Sequence, residues 1–190
     1  MGTKIKLSMI ARGLFTESKK LRIFDFDDTL VKTKSFIYVT KTDGRKLKLT
    51  PGEYAVYTPR EGDEFDYSDF QSVKEPVELK KMTNVLRRMV RSNGSNGMYI
   101  LTARSTYQPI KQYLSDIGIN SNSVYVVALA SSDPKDKANW VKSKIENEGY
   151  DDIYFADDSE KNINSMKQML RTKDVKWRCQ YIKEHFAYKK

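Results

Sequence analysis

LRIFDFDDTLV, residues 21–31, decides how the rest of the chain is read. An apolar run enters a cluster of three carboxylates, Asp25, Asp27 and Asp28, with Thr29 behind them, and apolar character resumes at once. Carboxylates this close repel one another and raise each other's proton affinity unless a cation sits among them. The stretch therefore predicts a buried strand, Leu21–Phe26, whose end faces a metal ion.

Working outward, the chain has 190 residues, enough for one domain with a modest insertion. Hydrophobic residues make up 39% and charged residues 31%, so it can bury a core and stay in solution. No run reaches the roughly 20 apolar residues of a membrane span. The start, MGTKIKLSMIARGLF, has no long apolar stretch before a small-residue cleavage site, so no secretory signal is read. Myristoylation of Gly2 would want Ser or Thr where Lys6 stands. The cytoplasm is the expected location. Cys179 is the single cysteine and His185 the single histidine, which argues against a disulfide, a zinc site and a Ser-His-Asp or Cys-His engine. Cys179 reads as core and His185 as tail surface. Chemistry must run on carboxylates, hydroxyls, lysines and a hard metal. A net charge of +9 favours anionic partners, or else reflects a lysine-rich solvated surface.

Residues 1–20 read as a basic N-terminal arm and 21–190 as the core. Within the core, Lys32–Glu75 reads as a small β-rich flap. There Asp43-Gly44 predicts a hairpin turn, EYAVY at 53–57 a third short strand, and REGDEFDYSDF a loop. Tyr38, Tyr54, Tyr57, Phe65 and Tyr67 of the flap suit hairpin packing, or stacking on a base. Next come a helix over Pro76–Asn93 and a strand over Met98–Leu101 that ends in Thr102-Ala103-Arg104. A helix over Tyr107–Ile117 and a strand over Val124–Leu129 follow. Asp133-Pro134 opens a helix to about Asn147. A strand over Asp152–Ala156 ends in Asp157-Asp158, and a helix over Ser159–Leu170 and a strand over Val175–Ile182 complete the series. Strands alternating with helices predict an α/β, three-layer, Rossmann-like fold, with a parallel sheet covered on both faces. The polar clusters then meet outside the C-terminal strand ends, where such sheets bind ligands.

The order DFDDT, LTAR, a lysine near a helix start, then DD resembles the haloacid dehalogenase superfamily over roughly residues 21 to 182. The Asp-x-Asp-x-Thr motif is matched in full by Asp25-Phe26-Asp27-Asp28-Thr29. The resemblance implies that Asp25 is a nucleophile forming an aspartyl-phosphate, and that Asp27 is the general acid and base, its backbone carbonyl also ligating the metal. Asp28 is then the variable position, and Thr29 orders the loop. Thr102 matches the hydroxyl that binds a phosphoryl oxygen. Arg104 either reaches substrate phosphate or is a surface arginine. Two lysines compete for the motif lysine. Lys137 falls in line with the core-facing Val141 and Ile145 and is preferred, with Lys135 as the alternative. Asp157 and Asp158 complete a Mg²⁺ shell with Asp25 and Asp27, Asp157 as the more direct ligand and Asn162 in support. Lys161 stands where many relatives carry a further acid.

The resemblance implies a Mg²⁺-dependent phosphomonoester hydrolase acting on a nucleotide or another phosphorylated metabolite. A small flap would leave the crevice open, and together with the net charge this keeps nucleic acid as an alternative partner, through a 3′-end phosphatase. No GxxxxGK[ST] run is present for an accompanying kinase. A third reading is a non-catalytic basic module that retains the fold. Phosphotransfer to an acceptor other than water is a further alternative to hydrolysis.

Overall fold

The computed structural model describes residues 17–94 and 96–183. In chain order the strands are β1 (Lys20–Phe24), β2 (Val31–Lys32), β3 (Ile37–Thr40), β4 (Lys46–Leu49), β5 (Glu64–Asp66), β6 (Val77–Glu78), β7 (Met98–Thr102), β8 (Tyr125–Ala128), β9 (Asp152–Asp157) and β10 (Lys176–Tyr181). The helices are α1 (Pro51–Val56), α2 (Lys80–Asn93), α3 (Gln108–Asp116), α4 (Pro134–Glu148) and α5 (Glu160–Leu170).

Five strands form one sheet in the order β10-β9-β1-β7-β8, with every pairing parallel. Side chains alternate between its two faces, as the pleat requires. Phe24, Met98, Ile100, Tyr154 and Ala156 pack with Met82 and Leu86 of α2 and with Ile110 and Leu114 of α3. Leu21, Ile23, Leu101, Ile153 and Phe155 pack with Val141 of α4 and with Ile163, Met166 and Leu170 of α5. The result is an α/β sandwich of helix, parallel sheet and helix, in keeping with a Rossmann-like fold. No helix among the described residues is long and apolar enough to cross a membrane.

Register between β1 and its neighbours is pinned on both sides. The Arg22 guanidinium donates to both Asp152 carboxylate oxygens at 2.9 Å. At the entry to β7, Gly97 has a φ of 73°, and its carbonyl accepts from the Arg22 N–H at 2.7 Å. A Cβ at this position would collide with the Lys20 carbonyl oxygen. Gly97→Ala is therefore expected to cost about 2–4 kcal/mol, read as a lowered urea midpoint. The basic arm needs a shorter boundary. Lys20 belongs to β1, Ser18 Oγ donates to Asp151 at 2.8 Å, and Lys19 Nζ donates to the Glu148 carbonyl at 2.7 Å. The arm's earlier residues, 1–16, and His185 lie outside the described residues. Cys179 sits half-buried on β10, where burial pushes its thiol up to about 11.

The flap leaves and re-enters the core through a neck, the two-residue antiparallel ladder of β2 with β6. Beyond the neck, β4-β3-β5 form an antiparallel sheet, and Gly44 takes a left-handed φ of 82° in the predicted turn. Three expectations are corrected here. Residues 53–57 are not a strand, because Thr50 and Glu53 form a reciprocal capping box with Pro51 in the first turn, and these helix-start signals prevail over a short alternation. The acidic run 60–70 is not all loop, since Glu64–Asp66 pairs with β3. The helix expected from Pro76 begins at Lys80, because residues 77 and 78 are used by the neck. The flap aromatics pack on one another, Phe65 against Tyr54 at 5.8 Å and against Tyr67 at 6.1 Å between ring centroids. Asp69 fastens the returning segment to β3 by accepting from the Phe36 N–H at 3.1 Å and the Tyr38 hydroxyl at 3.3 Å.

Candidate active site

In the strand order β10-β9-β1-β7-β8, connections run one way after β1 and the other way after β8. The switch point lies between β1 and β9. Asp25 leaves β1 there, its N–H still bonded to the Ala156 carbonyl of β9 at 2.8 Å. Asp157 ends β9 one residue further on. The two carboxylates are thus brought side by side by strand register alone.

Lys137 completes the arrangement from α4. Asp133 caps that helix by accepting from the Lys135 N–H at 2.9 Å, and Pro134 fixes its first residue. That start turns Lys137 inward. Its Nζ donates to Asp25 Oδ1 at 2.6 Å and to Asp157 Oδ2 at 2.8 Å, with the lysine side chain 4% exposed. Lys135 is the less buried of the two, so the inward lysine is Lys137.

The charges are unbalanced around this pair. Burial pushes the Asp25 carboxyl up to about 7, against the pull of Lys137 and with the help of Asp157. Asp158 is pushed up to about 9, first by burial and then by the charges of Asp25, Asp157 and Asp28. Burial alone would lower the Lys137 ammonium, but Asp157 and Asp25 outweigh it and hold it above the usual lysine range.

Asp157 and Asp158 differ in their bonding. Asp157 Oδ1 accepts from the Ser159 N–H at 2.8 Å and from Asn162 at 3.0 Å, and its Oδ2 accepts from Lys137 and from Asn162 at 3.1 Å. Asp158 Oδ1 receives a long contact from the Thr29 hydroxyl, at 3.4 Å. The oxygens of Asp157, expected to be the more direct ligand, are thus already engaged, while burial and the neighbouring carboxylates make the charged form of Asp158 costly. Asn162 stands where the sequence suggested, in support of Asp157.

Asp27, near enough for its charge to raise the Asp25 carboxyl, is held by a different cation. Its carboxylate is gripped by Arg104, Nε to Oδ2 and Nη2 to Oδ1, both at 2.8 Å. Arg104 is 4% exposed, so the surface-arginine alternative is excluded. Its Nη1 donates to the Ser72 carbonyl at 2.7 Å and the Phe70 carbonyl at 3.1 Å. Four of its donor positions are occupied by the protein itself, which leaves little for a substrate phosphate. Thr102 is buried at the end of β7, and its Oγ1 accepts from the Arg104 N–H at 3.2 Å. Asp28 takes a left-handed φ of 54° and closes the loop by donating its N–H to the Val31 carbonyl at 2.8 Å.

The donor set near Asp25 is made of oxygens only, which suits a hard cation. Among the described residues, no three His, Cys, Asp or Glu side chains are grouped as a ready-made metal cage. The carboxylates that could hold a cation beside this pair are those of Asp25 and Asp158, whose charges act on one another, and the Asp27 backbone carbonyl is the further ligand that the resemblance implies. Such a set is adequate for an ion that retains several waters. The stacking of Phe70 on Arg104, and the flap carbonyls behind it, had no signal in the sequence. Comparison with protein-family models and with curated proteins finds no match for this chain.

Proposed function

We propose that the chain is a Mg²⁺-dependent phosphomonoester hydrolase of the haloacid dehalogenase type, acting on a small phosphorylated molecule. The observation that carries this reading is the buried Asp25–Lys137–Asp157 unit at the strand-order switch point. Lys137 occupies Asp25 Oδ1 and leaves Oδ2 to attack phosphorus. As the Asp25–phosphorus bond forms, the ester bond breaks and the leaving oxygen takes a proton from Asp27, which enters the step protonated from solvent once one of its contacts with Arg104 has opened. Asp27 then removes a proton from water, whose oxygen attacks phosphorus. The Asp25 carboxylate and inorganic phosphate are released. Thr102 Oγ1 accepts one bond from the Arg104 N–H, which leaves its own proton for a phosphoryl oxygen.

Asp25, Asp158 and the Asp27 carbonyl would hold Mg²⁺, which would neutralise the carboxylates and draw charge from the phosphoryl oxygens. Asp158 replaces Asp157 as the more direct ligand in this reading, for the bonding reasons given above. Charge distribution favours a small substrate over a nucleic-acid end. Residues 32–75 carry eight basic and eight acidic residues, so the excess positive charge does not gather on the flap.

Hydrolysis of p-nitrophenyl phosphate is expected to require Mg²⁺, to stop with EDTA, and to fall at least ~10³-fold in Asp25→Asn. Activity that survives this substitution would overturn the proposal.

A further inference from the structure

Asp27 and Arg104 meet the flap at both of its ends. Thr33, where the flap begins, places its hydroxyl 3.4 Å from Asp27 Oδ1. Phe70 and Ser72, where the flap returns, supply the two carbonyls that accept from Arg104 Nη1. The guanidinium lies over two rings, its carbon 5.3 Å from the Phe26 centroid and 5.0 Å from the Phe70 centroid. Phe26 belongs to the DFDDT loop and Phe70 to the flap. The planar cation is thus stacked and hydrogen-bonded by both parts at once, a geometry that a lysine ammonium does not reproduce.

We propose that Arg104 is a positioning residue through which the seating of the flap sets the orientation of the Asp27 carboxylate. This rests on the phosphatase reading and extends it to control of the proton-transfer step. Both Asp27 oxygens accept from the guanidinium, so passing a proton to a leaving oxygen requires one of those contacts to open. The flap carbonyls hold the other edge of the same rigid fork. A shift of residues 70–72 when substrate enters turns the fork and releases one Asp27 oxygen. Withdrawal of the flap leaves Asp27 without the frame that aims it.

The test exploits leaving-group chemistry. p-Nitrophenolate departs without a proton, whereas an alkoxide needs one, so impairing the general acid slows alkyl phosphates far more than p-nitrophenyl phosphate. Asp27→Asn sets the benchmark for this selectivity. In Arg104→Lys, kcat/KM, which reports the transfer to Asp25 and not the later hydrolysis common to both substrates, is expected to fall about 10–100-fold further for glycerol phosphate than for p-nitrophenyl phosphate. Phe70→Ala, which leaves the carbonyl but removes the ring, is expected to show the same bias at smaller size. It also serves if Arg104→Lys does not fold. In the Asp27→Asn/Arg104→Lys double variant, Arg104→Lys is expected to add little to the loss, because the two residues act as one unit. Equal losses on both substrates, or full additivity in the double variant, would overturn the inference while leaving the phosphatase reading intact. A wild-type chain inactive on both substrates, or an active Asp25→Asn, would overturn that reading and this inference with it.

Discussion

Lys137→Met is expected to lower the folding free energy by about 3–5 kcal/mol at pH 8, the usual cost of removing one partner from a buried ion pair. For a chain of this size that corresponds to about 6–20 °C in Tm. Two carboxylates share the one ammonium, and the side chains of Asp25, Lys137 and Asp157 are 9%, 4% and 0% exposed. Methionine fills the lysine's volume, so the loss reports charge and not a cavity. The penalty is expected to shrink on acidification. Burial already holds the Asp25 carboxyl up to about 7, despite the opposing pull of Lys137, and loss of that cation raises it further. Folded Asp25 then keeps a proton that the unfolded chain loses near pH 4, so stability falls as pH rises through that window. Urea denaturation at pH 5 and pH 8 without divalent cations measures the difference. Equal penalties at the two pH values would contradict this account.

Asp158→Asn is expected to separate stability from activity. Asp158 is held up to about 9 by burial and by the charges of Asp25, Asp157 and Asp28. Between about pH 4 and pH 9 the folded state therefore binds a proton that the unfolded state does not, and rising pH destabilises the metal-free protein. Asparagine keeps the shape and removes the ionisation. The variant is expected to be more stable than wild type by on the order of 1–2 kcal/mol at pH 8, about 2–8 °C in Tm. At pH 4 it should show no advantage. Millimolar Mg²⁺ should raise the wild-type Tm and leave the variant nearly unmoved, since a ligand stabilises only the state that binds it. Mg²⁺-dependent turnover should be lost in the variant. If the Asp158→Asn variant proved less stable than wild type at pH 8 without metal, the carboxylate would not be strained by its surroundings.

Residue types and spacing were enough to locate the sheet and to bring Asp25, Thr102 and Asp157 to one end of it. Each follows an apolar run that can only be a buried strand, and topology does the rest. Lys137 was recoverable because helix periodicity aligns it with Val141 and Ile145, turned toward the core. The roles of Asp157 and Asp158 were not separable. Adjacent carboxylates look alike until their hydrogen bonds are known, and the Ser159 N–H and Asn162 that engage Asp157 act through backbone geometry. Arg104 was readable as a candidate but not in its orientation, because its partners are carbonyls 32 and 34 residues away. Carbonyls carry no residue identity, so no pattern announces them. The flap was misread where two signals competed over a few residues. In 50–57 the Thr50–Glu53 cap outweighed the alternation of EYAVY.

The neck of the flap has a consequence for how this chain can change. Its two ends lie across a ladder of two residue pairs, Val31 with Glu78 and Lys32 with Val77. A tight turn can span that gap, so the excursion between the two strands is free to vary in length. Doubling a flexible insert adds only about 0.6 kcal/mol of closure entropy. The core can therefore exchange one insert for another, provided the newcomer presents two carbonyls to the waiting guanidinium.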